Sequence, residues 1–184
     1  MNITELQHEI YATACEKGWH DRPLCITRAT ADQPPQGVDP IAVLAKLVLV
    51  HSELSEAEEE AAAGLFDVYY NASNPTKPEG WIVEIADSLI RVLDTCEALG
   101  LDIESAVKSS RFGARPSLHA YVSKAVEAAR VGDYTEGFTN ALAGLWQACE
   151  VEADQRSRDN LAHVITLKIA YNRTRSHMHG GKLA

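Results

Sequence analysis

Two stretches of this chain are apolar on almost every side of a helix, and each carries a pair of acidic residues spaced three apart. The first runs from Ile41 to Val50, with Lys46 its one charged residue, and leads into Glu53 and Glu56. The second begins at Trp81 and carries Glu84 and Asp87 among apolar neighbours. Residues three and four apart share a helix face. Glu53, Glu56 and Glu60 therefore form one stripe, and Glu84, Asp87, Arg91 and Asp94 another. A helix apolar all round is normally enclosed by its neighbours, and burying carboxylates there is costly unless they are paired or hold a cation. Antiparallel packing of the two helices brings both pairs into one four-carboxylate cluster, which cannot stay fully ionised without a cation. Mg²⁺, with Mn²⁺ as a substitute, suits it, because magnesium takes oxygen ligands and commonly bridges carboxylates and phosphates. The competing reading of any one Glu-rich face is plain solvation, and Glu58–Glu60 fits that description. A di-iron bundle uses Glu-x-x-His on facing helices, and neither pair here has that histidine.

The remaining pattern is helical. Thr4 and Gln7 have capping-box spacing, predicting a first helix over 4–17 that Gly18 ends. A polar loop with Pro34-Pro35-Gln36-Gly37 follows to Val38. Asp39-Pro40 reads as an N-cap with proline at the first helical position, opening a helix to about Ala63. A linker over 71–80 holds two prolines, and a third helix runs from about Glu79 to Leu99. A short fourth helix opens at 101–104, a fifth spans Pro116 to Gly132, and a sixth, with Asp133 and Glu136 at capping-box spacing, passes through Trp146. The last covers about 158–175. No alternating run long enough for a strand is evident, so the expected class is all-α, with six or seven helices.

Net charge −9 argues against broad nucleic-acid binding, which draws on basic residues to displace counterions from phosphates. The four cysteines, at 15, 25, 96 and 149, form no CxxC pair, which predicts reduced thiols in a cytoplasmic protein. The first residues are polar, unlike a secretory leader, and no apolar run reaches the length of a membrane span.

The ordered blocks Glu16–Asp21, Leu49–Ala57, Glu84–Asp94 with Leu99–Glu104, and Lys168–Arg175 with His179–Lys182 resemble the MazG-like family of all-α nucleoside triphosphate pyrophosphohydrolases, in its phage and bacterial branch. The likeness covers residues 1–107 and about the last 17; residues 108–167 depart from it as an inserted helical pair within a single domain. The resemblance implies a helical bundle completed by oligomerisation, as a dimer or tetramer. It also implies Mg²⁺-dependent hydrolysis of a nucleoside triphosphate, a dNTP above all, to the monophosphate and pyrophosphate. By residue, it implies Glu53, Glu56, Glu84 and Asp87 as metal ligands, with Glu53 or Glu56 orienting or deprotonating water. Lys168, Asn172 and Arg175 share one face of the last helix at i, i+4 and i+7 and are assigned to substrate phosphate; a cationic helix end that complements the dipole is the structural alternative. Lys182 would close over the substrate from the tail. Trp19 and His20 would stack on or hydrogen-bond the base, although Trp19 equally suits a lid on the core. Arg91 is expected to pair with Asp87 or Asp94. His177 and His179 form an HxH with no further ligand nearby. The reading from another class is a non-catalytic nucleotide-binding or regulatory helical oligomer.

Overall fold

The computed structural model describes residues 2–109 and 117–176. Lys182, His177, His179 and Pro116 lie outside them. Seven helices occur among the described residues: α1 Ile3–Glu16, α2 Pro40–Ala62, α3 Trp81–Leu99, α4 Ile103–Ser109, α5 Leu118–Val131, α6 Glu136–Arg156 and α7 Leu161–Thr174. The fold is mostly helical, as the apolar periodicity predicts. No helix among the described residues is long and apolar enough to cross a membrane.

α3 is the centre of the bundle. It packs against α1, α2, α6 and α7, and every residue from Trp81 to Leu99 is buried except Asp87, Ile90 and Arg91. Those three sit at i, i+3 and i+4, so α3 opens to solvent along a single stripe. α5 packs on α2 and α6, and α6 on α4. The side chains of Phe138, Leu142, Leu145 and Trp146 are fully buried, in the same apolar core as Leu47, Leu54 and Leu89.

Several predicted boundaries hold, with local corrections. Asp39 caps α2, its Oδ1 accepting from the amides of Ile41 and Ala42, and Pro40 is the first helical residue. Gly100 ends α3 in the left-handed conformation (φ +77°), where a Cβ would lie 2.6 Å from the Ala29 carbonyl oxygen. That close approach lets the loop after α1 bond to the helix end, with Ala29 N–H donating to the Leu99 carbonyl. The capping box at Thr4 does not form. Asn2 caps α1 instead, because the Thr4 hydroxyl is taken by Glu104 at 2.5 Å. α6 begins without a side-chain cap of its own; Asp133 accepts from the Gly137 amide.

The expectation of no strands is overturned. Tyr69–Asn71 (β1) and Asn74–Glu79 (β2) form an antiparallel hairpin with Tyr69 opposite Glu79 and a bulge beside Asn71. Pro75 and Pro78 disguised it: proline cannot donate to a ladder, and a two-stranded ribbon consists entirely of edges, where that deficit is tolerated.

Candidate metal and polyphosphate site

The hairpin aims the start of α3. After Glu79 the chain turns through Gly80 at φ +121°, where a Cβ would stand 2.3 Å from the Asp67 carbonyl oxygen. The Trp81 amide then donates to the Leu65 carbonyl. This places Glu84 in the first turn of α3, where the helix dipole favours negative charge, and Asp87 one turn on. From α2, Glu53 projects to the same point.

Carboxylate oxygens of Glu53, Glu84 and Asp87 all lie within 4.8 Å of one another. Two trans oxygens on a magnesium ion are about 4.2 Å apart, from bonds of about 2.1 Å. A hard-oxygen set so close to that span fits a small divalent cation. The fourth expected ligand stands apart: Glu56 is exposed on the rim of the same cavity, with the Ser52 hydroxyl as a distant donor at 3.4 Å.

Two basic side chains partly neutralise the trio. Arg91 Nε donates to Glu53 Oε1 at 2.6 Å, which corrects the expected pairing of Arg91 with Asp87 or Asp94. Arg91 lies one turn beyond Asp87 on α3, facing across to α2. Lys168, 3 % exposed, meets Asp87 Oδ2 at 2.7 Å. The Glu84 carboxyl has no hydrogen-bonded partner among the described residues, and the residue is 6 % exposed. Burial, with Asp87, Glu53 and Glu56 nearby, pushes its carboxyl up to about 8 against the pull of Lys168. Burial also raises the Glu53 carboxyl, against the opposing charge of Arg91. While Glu84 holds its proton, two carboxylates face two cations; ionising Glu84 leaves the centre short of positive charge.

The cavity above the trio measures about 450 Å³, within the range of small-molecule sites. It extends along α3 from Glu84 to Asp94, a rise of about 15 Å at 1.5 Å per residue. Its apolar wall includes Ile10, Leu49, Ile90 and Ile169, and Trp19 lines it too. Lys168 and Asn172 reach it from one face of α7, as predicted, while Arg175 lines it from the extended residue just beyond the helix end and not from that face. The Asn172 Oδ1 atom is buried and has no hydrogen-bond partner. A phosphate oxygen, itself an acceptor, cannot satisfy it; a hydroxyl or a base N–H can.

His20 lies elsewhere than expected. Its ring is 4 % exposed and Nε2 sits 2.6 Å from Asp94 Oδ1, inside the bundle and not on the cavity wall. Lys46 Nζ holds the other Asp94 oxygen at 3.0 Å. Burial opposes charge on Asp94, but the bonds from His20 and Lys46 outweigh it and keep the carboxyl below its ordinary range. His20 thus satisfies a buried acid. Sequence reasoning passed over the contribution of α1 and its C-cap, from which Ile10, Thr13, Ala14 and Lys17 line the cavity. Their spacing of 3, 4 and 7 was the available signal. Lys77 also lines it, on the unrecognised hairpin.

Comparison with protein-family models, with curated proteins and with solved structures returns no match.

Proposed function

We propose that this chain hydrolyses a nucleoside triphosphate, a deoxynucleotide above all, to the monophosphate and pyrophosphate with the help of Mg²⁺. The observation that carries the reading is the cluster of buried Glu53 and Glu84 with half-buried Asp87 at one end of a cavity long enough for a nucleotide, together with the MazG-like spacing of those residues. Glu53, Glu84 and Asp87 would hold the Mg²⁺, which would supply positive charge to phosphate oxygens and acidify a water.

The other roles belong to the chain's own groups. Arg91, Lys168 and Arg175 line the cavity and offer cationic N–H donors to the phosphates. Glu56, exposed and lightly engaged, accepts the proton of the attacking water. That water's oxygen bonds to the α-phosphorus, the bond from phosphorus to the bridging oxygen breaks, and pyrophosphate departs in line. The nucleoside lies toward Ile10, Trp19 and Asn172, and the free Asn172 Oδ1 takes a sugar hydroxyl or base N–H.

The test is pyrophosphate release across a dNTP panel with and without Mg²⁺, for the parent chain and for Glu53→Gln and Asp87→Asn. Metal-dependent release, abolished by either substitution while the helical circular dichroism persists, is the expected result. Full activity in both variants removes the site assignment. Nucleotide binding without turnover in the parent chain identifies the regulatory oligomer instead.

A further inference from the structure

The end of the cavity away from the acidic cluster has polar chemistry of its own. On α2, Lys46, Leu49 and Glu53 stand at i, i+3 and i+7; on α3, Asp87, Ile90 and Asp94 do the same, and all six line the cavity. The two helices run antiparallel, so their facing residues form three levels. Glu53 and Asp87 make the acidic level, Leu49 and Ile90 an apolar one, and Lys46 and Asp94 an ion pair, Nζ to Oδ2 at 3.0 Å. Seven residues at 1.5 Å each set the first and last levels about 10 Å apart. The ion pair is not saturated. The Lys46 ammonium has three N–H donors, and among the described residues it is bonded to Asp94 alone. Asp94 meets His20 through Oδ1 and Lys46 through Oδ2, which leaves each carboxylate oxygen one further lone-pair site. Both side chains are largely enclosed. Unmet donors and acceptors in such a place discriminate strongly, because a ligand that cannot pair with them leaves them unsatisfied.

Resting on the pyrophosphohydrolase reading, we infer that the Lys46–Asp94 pair reads the edge of the nucleobase and selects guanine. With the phosphates at the acidic level, the nucleoside lies along Leu49 and Ile90 and the base edge reaches the ion pair. Guanine presents O6, then N1–H, then its N2 amino group: acceptor, donor, donor. Lys46 Nζ, Asp94 Oδ2 and Asp94 Oδ1 answer in order as donor, acceptor, acceptor. Adenine and cytosine offer the carboxylate one amino group beside a bare ring nitrogen. Thymine offers one N–H flanked by two carbonyls. Each of these three sets an acceptor against the second carboxylate oxygen, where guanine sets a donor. The inosine base is the intermediate case, since it keeps O6 and N1–H but lacks the N2 amino group.

Calorimetric binding of dGMP, dIMP, dAMP and dTMP reads the base without turnover, and pyrophosphate release from the matching triphosphates with Mg²⁺ reads the reaction. The parent chain should bind dGMP about tenfold or more tightly than dAMP or dTMP, with dIMP between, and the triphosphates should follow the same order in kcat/KM. Lys46→Met should bring dGMP down to the level of dAMP. Asp94→Asn puts an N–H donor where the xanthine base carries its 2-carbonyl, and should bind dXMP in preference to dGMP. The comparison of dGMP with dIMP in the parent chain decides the matter even if a variant folds poorly. Equal binding of the four, no binding of any, or dIMP matching dGMP overturns the assignment. Pyrophosphate release without base preference sinks this role of the ion pair and leaves the hydrolase standing; guanine-selective binding without release does the reverse.

Discussion

Glu84 is the residue whose ionisation the fold resists most plainly among the site carboxylates. Its ordinary value of 4.5 is pushed up to about 8, so between those values the folded chain holds a proton that the unfolded chain releases. The folded state binds more protons there, and its stability falls as pH rises. The stabilising contribution is complete below about 4.5 and lost as pH climbs through about 8. On the proposed reading, Mg²⁺ would compete with that proton, so its apparent affinity should rise by about tenfold per pH unit below 8 and then level off. Thermal unfolding across pH, with and without Mg²⁺, reads both trends, and Glu84→Gln should flatten the first and abolish the second. The acidic residues were legible from spacing, since each interrupts an apolar helix. Their partners were not. Arg91 on Glu53, Lys168 on Asp87 and His20 on Asp94 each join residues far apart in sequence, and helical period says nothing about which cation crosses which gap.

Among elements, helices announced themselves and the hairpin did not. Capping residues and apolar period are local signals, and α2 and α3 follow them to within two residues of the predicted ends. The hairpin rests on pairing between Tyr69 and Glu79 and on Gly80, features that read as a linker when two prolines intervene. Gly80→Ala tests how far this element serves the site. The added Cβ meets the Asp67 carbonyl in a backbone region hostile to side chains, so a loss of about 1 kcal/mol or more is expected. Mg²⁺ affinity should fall with it, because Glu84 stands four residues on. Asp39→Ala is the contrasting case: it removes the α2 cap and should cost about 1 kcal/mol in denaturant titration while leaving Mg²⁺ affinity nearly intact.

For the whole molecule, the all-round apolar start of α2 is only partly covered. Ile41 and Val48 are 78 % and 62 % exposed, and with Ala45 they form an outward stripe at helical spacing. A second copy of the chain is the expected cover, in line with the oligomer that the sequence resemblance implies. Light scattering should give more than a monomer mass for the parent chain and a monomer for Ile41→Lys/Val48→Lys; a monomeric parent at micromolar concentration would end this expectation. The segment beyond residue 108 reads in sequence as an addition, yet α6 packs on α3 and Trp146 is wholly enclosed. Sequence order gave no hint of that, because a helix pair looks the same whether it rests on the bundle or fills it.

The central helix bares only Asp87, Ile90 and Arg91, and this divides labour between inheritance and innovation. Almost any change along α3 disturbs packing, so it is a poor place from which to alter what the cavity accepts. The walls supplied by α1, α7 and the loop carrying Trp19 are fixed by packing at Ile10, Lys168 and Ile169, but less so at the half-buried Thr13, Trp19 and Asn172. Substitutions meant to reshape the cavity can therefore work on Thr13, Trp19 and Asn172 while the acidic cluster of α2 and α3 stays fixed.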